Sequence, residues 1–163
     1  MHKTLAALAL TTTLIAAPAI ADEIRGEATF AWLAVGNTYT IGDGHPFFAG
    51  AFSGINVFKG DGGVLSNSAI TCPGYNDIGV EAGGYCTVTA SNGDKLFLKW
   101  SCTAASPEAG DLAACNGKTT VVGGTGKFEK ATGGNDLFAH VRGVNPDGST
   151  MGYTVLKNYV VTF

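Results

Sequence analysis

The chain has 163 residues, ten basic and thirteen acidic side chains giving a formal net charge of −3, and 24 glycines against only 14% charged residues. The lysines and arginines are scattered singly along the chain, so no basic patch or stripe supports nucleic-acid binding. High glycine, few charges and no sustained 3.6-residue apolar period predict a protein that is nearly all β.

The N-terminus carries His2 and Lys3, then the apolar run Leu5 to Ala17, then Pro18 and the small-residue pattern Ala19-Ile20-Ala21. This is the layout of a secretory signal peptide, residues 1–21, with cleavage after Ala21. A membrane anchor would need about 20 unbroken apolar residues. Here Thr11, Thr12, Thr13 and Pro18 interrupt the run, so no stable membrane anchor is expected. Residues 22–163 then form a single exported domain, periplasmic or secreted, with nine basic against thirteen acidic residues and a net charge of −4.

Ile24 to Val35 alternates, with Ala28, Phe30, Trp32 and Ala34 on one side, and predicts the first strand. Asp43-Gly44-His45-Pro46 marks a turn. Phe47 to Phe58 predicts a second strand in which Phe48, Gly50, Phe52, Gly54, Asn56 and Phe58 share a face. Lys59 to Gly63 reads as a turn, Val64 to Thr71 as a short strand, and Cys72 to Asp77 as an irregular loop. The clearest hairpin joins Gly84–Ala90 to Lys95–Cys102 about Ser91-Asn92-Gly93-Asp94, with Leu96, Leu98 and Trp100 on one face. Ala104 to Asn116, rich in small residues, is expected to be a mobile loop. A strand through His140 and Arg142, a turn at Asn145-Pro146-Asp147-Gly148 and a last strand from Met151 to Phe163 complete the chain. Strict alternation in that last strand puts Met151, Tyr153, Val155, Lys157, Tyr159, Val161 and Phe163 on one side. About eight strands at this spacing predict an antiparallel β-barrel, with a sandwich as the fallback.

The four cysteines Cys72, Cys86, Cys102 and Cys115 are even in number and follow an export signal, which predicts disulfides. The hairpin sets Cys86 opposite about Lys99 rather than Cys102, which favours Cys72–Cys86 with Cys102–Cys115. Paired close spacing for structural zinc is absent, and no cysteine pair precedes a histidine as covalent haem attachment requires, so no metal or cofactor is expected.

Between the mobile loop and the His140 strand lies the most informative stretch, Val121 to Gly134. Val121 and Val122 favour a strand, Gly123, Gly124 and Gly126 a sharp corner, and Phe128 a buried plug. A single helical turn suits Glu129 to Thr132, followed by a returning strand near Leu137 to Val141. Gly126-Lys127 is not a phosphate-binding loop: Val121 stands where that motif needs glycine, and Phe128 where it needs Ser or Thr.

The run GGTGKF followed by ATG, with an aspartate-glycine turn and a tyrosine-rich final strand downstream, resembles the allene oxide cyclase and dirigent barrel superfamily, including small exported bacterial members. The resemblance covers the chain from Gly93 onward. It implies an eight-stranded antiparallel barrel with a central cavity, and a cyclase or isomerase acting on a flexible hydrophobic substrate. Glu129 and Lys130 stand where members often carry small residues.

His45 sits in a turn beside Asp43, where a solvated or turn-bonding role is expected. His140 is the best single candidate for acid–base work, since an ordinary histidine titrates near neutrality. No Gly-x-Ser-x-Gly elbow signals a serine nucleophile, and no spacing promotes a carboxylate pair for glycoside chemistry. Aromatic residues occur in nearly every strand, and an eight-stranded barrel is either filled by them or just wide enough for one small ligand. Trp32, Trp100, His140 and Tyr153 are the candidate ligand-binding residues. The expected function is that of a non-enzymatic exported barrel binding a small apolar molecule or a protein partner, with the cyclase or isomerase as the alternative.

Overall fold

The computed structural model describes residues 22–163; the expected signal peptide lies outside the described residues. Eight strands follow in chain order: β1 (Glu23–Ile41), β2 (His45–Phe58), β3 (Ser68–Asp77), β4 (Glu81–Thr89), β5 (Lys95–Ala105), β6 (Ala113–Gly124), β7 (Thr132–Val144) and β8 (Thr150–Thr162). Each pairs antiparallel with its sequence neighbours, and β8 pairs with β1 to close a barrel. A meander of hairpins would leave β1 and β8 with unpaired edges, and closure removes both. The fold is therefore the barrel and not the sandwich.

Alternation decides what faces inward. Ala28, Phe30, Trp32 and Ala34 are buried, whereas Leu33 and Val35 between and beyond them are exposed. Phe48, Asn56 and Phe58 of β2, Ile70 and Cys72 of β3, and Leu96 and Leu98 of β5 are buried in the same way. The outer faces differ around the circumference: β1 and β2 show Leu33, Val35, Tyr39, Ile55 and Val57, while β5, β6 and β7 expose Lys95, Lys99, Lys118 and Arg142.

Several local expectations change. β1 runs on to Ile41, and the expected strand from Val64 is a 3-10 turn at Gly63–Leu65 with β3 beginning only at Ser68. The loop expected from Cys72 to Asp77 is strand. Pro73 is tolerated because the β3–β4 pairing skips it, passing from Thr71 opposite Thr87 to Gly74 opposite Gly84. The long loop shrinks to residues 106–112. In β8 the strict alternation fails: Ala28 pairs with Leu156 but Gly26 with Tyr159, a β-bulge in which Asn158 adopts φ 52°. One inserted residue flips every side chain beyond it. Tyr159 and Val161 consequently join Leu156 in the interior while Met151 stays exposed.

Both disulfides pair as expected, Cys72–Cys86 joining β3 to β4 and Cys102–Cys115 joining β5 to β6. The hairpin register is one residue off the sequence-based one, with Cys86 opposite Leu98.

One end of the barrel is closed by the glycine corner. Gly123 and Gly126 have φ of 138° and 55°, and a 3-10 turn at Gly126–Phe128 carries Phe128 inward. The corner is pinned to the β4–β5 turn, since the Lys127 amide donates to Asp94 Oδ2 at 3.1 Å and the Lys95 amide to Thr125 Oγ1 at 2.9 Å. Phe128 is 0% exposed and packs edge-to-face on Phe163 at 4.8 Å. Gly124 is needed for that approach, because a Cβ there would lie 2.5 Å from that of Phe128.

Phe128→Ala should cost about 3–5 kcal/mol in equilibrium denaturation, as large-to-small core changes do; a loss under about 1 kcal/mol would show that the residue is not a plug. Reducing the two bridges, which close loops of 14 and 13 residues, should cost about 3 kcal/mol each on a chain-entropy reckoning. The corresponding fall in the unfolding midpoint is read with and without reductant.

Candidate functional site

Above the Phe128 plug the barrel is hollow. A cavity of about 100 Å³ is walled by strands on every side, and none of its lining residues is charged. Its apolar wall includes Phe30, Ile70, Leu98, Leu137 and Leu156. Phe52 stands between the two indoles, edge-to-face on Trp32 at 5.4 Å and on Trp100 at 5.5 Å. Glycines make room for these large rings: a Cβ at Gly152 would lie 2.6 Å from the Trp32 ring, and one at Gly74 would lie 2.8 Å from that of Trp100. Trp32 Nε1 donates to Thr154 Oγ1 at 3.0 Å.

The remaining polar groups of the lumen are unusual. Both side-chain polar atoms of Asn56, Trp100 Nε1, Thr119 Oγ1, Asn135 Oδ1 and the Tyr159 hydroxyl are buried without a hydrogen-bond partner among the described residues. All five residues line the one cavity. Asn56 is 0% and Tyr159 1% exposed, and burial pushes the Tyr159 phenol well above its usual range. Each unpaired buried group costs about 1–3 kcal/mol, so one surplus group is unremarkable, and five residues carrying such groups around one space are a statement about that space. Thr119 lies directly across from Asn135 on the β6–β7 seam, and Asn56 lies on β2, halfway around an eight-stranded circle. Residues carrying unpaired polar atoms therefore stand on opposite walls of the cavity.

The cavity opens toward a groove of about 340 Å³ between the β3–β4 turn and the 106–112 loop; Asn76, Ala82, Cys115, Ala139 and Val141 line both spaces. Ile78, Val80, Pro107 and Leu112 give this mouth an apolar rim.

Of the four sequence-derived ligand residues, Trp32 and Trp100 wall the cavity. His140 and Tyr153 do not. Leu137, Ala139 and Val141 take the inward positions of β7, so His140 points outward, and its cross-strand partner Tyr153 shares the outer face. There the two rings stack at 4.4 Å. His45 is bonded to Asp77 near the surface, and Gly123, Gly124, Gly126 and Phe128 belong to the closed end. Sequence reading missed Asn56, Thr119, Asn135 and Tyr159. Asn56 was legible as a lone polar side chain on an otherwise aromatic face, whereas Asn135 and Tyr159 sit beside register shifts that hide their direction.

His140 has a different task. Its Nδ1 donates to Asp111 Oδ2 at 2.8 Å, and Arg142 Nη1 donates to Asp111 Oδ1 at 2.9 Å. The Asp111 side chain is 0% exposed, and these two bonds, that from His140 foremost, hold its carboxyl below the usual carboxylate range. The Leu112 amide donates to the Val141 carbonyl at 2.8 Å. The loop that rims the mouth is thus latched to the outside of β7. Gly110, at φ 85°, lets it pass: a Cβ there would lie 2.9 Å from the Arg142 guanidinium.

A depressed carboxyl stabilises the latch above its unfolded value and loses it as pH falls through the folded one. The Asp111 titration, followed through the Gly110 and Leu112 amide shifts, should show a midpoint below about 3.9. Asp111→Asn should speed thermolysin cleavage ahead of Leu112 several-fold at neutral pH with little change in barrel melting; unchanged cleavage would show that the latch does not hold the loop. No family model, curated protein or solved structure matches this chain.

Proposed function

We propose that this protein is an exported binder of a small molecule held in the barrel lumen, with an apolar body and one polar end. The single observation that carries the reading is the set of unpartnered polar atoms on Asn56, Trp100, Thr119, Asn135 and Tyr159 around an otherwise apolar cavity. Small-molecule sites have this composition: a mostly apolar wall with a few polar groups that fix orientation. Polar groups that cost stability in the empty barrel are repaid when a ligand meets them, a trade common at functional sites. The two disulfides suit an oxidising compartment. Exposed lysines on β5 and β6 argue against a lipid-facing exterior on that side.

The size of the lumen limits what it encloses. An apolar cavity of about 150 Å³ admits benzene, so about 100 Å³ holds a head group of a few heavy atoms, and anything longer extends through the mouth groove. The cyclase or isomerase reading needs an acid–base group at the ligand. His140, the candidate for that role, faces the other way, and no carboxylate lines the enclosed cavity, Glu81 lining only the mouth groove, so binding is favoured over catalysis.

Native mass spectrometry of protein purified without denaturation should reveal a bound small molecule released on unfolding. Tyr159→Phe removes an unsatisfied hydroxyl and should leave the ligand-free barrel as stable or slightly more so, while weakening ligand retention. If Tyr159→Phe instead destabilises the ligand-free barrel by more than about 1 kcal/mol, the hydroxyl has a structural partner and the argument from unpartnered atoms fails.

A further inference from the structure

The lumen specifies its ligand more closely than by size and polarity, and this inference rests on the lumen being the binding site. We infer that the bound head group is an uncharged amide or lactam, a group presenting a hydrogen-bond donor and an acceptor side by side.

Charge is the first discriminator. No Lys, Arg, His, Asp or Glu lines the cavity, so an ionised head would be buried without a counter-charge. Neutral donors can solvate an anion, and Asn56 Nδ2, Trp100 Nε1 and the Thr119 and Tyr159 hydroxyls are such donors. Against a carboxylate, however, the carboxamide oxygen of Asn56 would remain an unpaired acceptor whichever way that group is turned. Against an ammonium the mismatch is reversed, since the indole N–H can only donate.

Pattern is the second discriminator. On Asn56 both the NH₂ and the carbonyl lack partners, so its requirement does not depend on which way the carboxamide is turned. A carboxamide with both atoms free is met by another group carrying N–H and C=O on adjacent atoms. An acceptor-only head such as a ketone satisfies Asn56 Nδ2 and leaves its Oδ1 unpaired. The opposite wall continues the pattern, with one polar atom of the Asn135 carboxamide unpaired and the Thr119 hydroxyl across the seam able to donate or accept. An amide has a second N–H or a second carbonyl lone pair to offer there. The apolar rim of the mouth, with Ile78, Val80, Pro107 and Leu112, then takes an aliphatic tail.

Four linear aliphatic probes separate these features: hexanamide, 2-heptanone, hexanoate and hexylamine, titrated at pH 7 into ¹⁵N-labelled full-length protein with the Asn56 and Asn135 side-chain amides as reporters. Hexanamide should shift both reporters saturably and bind at least ten-fold tighter than each of the other three. Asn56→Leu, which replaces unpaired polar atoms by an apolar side chain with the same number of heavy atoms, should fold with an unchanged or higher melting temperature and bring hexanamide to the level of 2-heptanone. If 2-heptanone, hexanoate or hexylamine binds as tightly as hexanamide, the amide assignment is overturned and the lumen remains the binding site. If none of the four perturbs a lumen resonance and the cavity holds water alone, both the assignment and the lumen reading fall.

Discussion

The structure depends on the pairing of β1 with β8. Glu23 lies opposite Thr162, and the amide of Asp22 and that of Phe163 each donate to the other's carbonyl at 2.9 Å, so the ends of the described chain meet in one seam. Without that seam the sheet would be open, its inward residues would have only one neighbouring layer, and no enclosed space would exist. Closure turns period-two alternation into an inside and an outside. It also fixes the interior width, because eight strands leave room either for packed side chains or for one small molecule. This barrel does both in series: Phe128, Phe163 and Leu65 fill one end, and the aromatic tier of Trp32, Phe52 and Trp100 bounds a space nearer the other.

Much of this was legible in the sequence. The inward faces of β1 and β2, the β4–β5 hairpin, the count of strands and the disulfide pairing all follow from alternation, turn chemistry and cysteine spacing. What was not legible shares one physical origin, the local loss of register. Asn158 is a single residue with φ 52°, and it carries Tyr159 from the outer face into the buried interior. Nothing in Lys157-Asn158-Tyr159 marks a bulge beyond the tolerance of Asn for that backbone region. The shift between Gly134 and Asp136 likewise conceals where Asn135 points. His140 illustrates the converse: its residue type suggested chemistry, but direction in a strand is set by the neighbours that fill the core, and Leu137, Ala139 and Val141 were better suited to do so.

The lumen and the outer latch keep two kinds of polar group apart. Inside, residues lining the cavity keep uncharged polar atoms without hydrogen-bond partners. Outside, Asp111, His140 and Arg142 hold a loop against the wall. Charges are kept where water or a counter-ion reaches them, and uncharged polar groups are kept where neither does, as the cost of burial dictates.

The disulfides also bear on how the wall deforms. One staples β3 to β4 and the other β5 to β6, so half of the circumference is cross-linked beside the cavity. The other half has no covalent tie and contains two register shifts between β7 and β8 and one between β8 and β1. The barrel is therefore mechanically lopsided, a stiff shell on one side and a compliant panel on the other. Any widening of the lumen to admit a bulkier guest should be taken up by β7, β8 and β1, and loss of the two cross-links would let the whole circumference breathe.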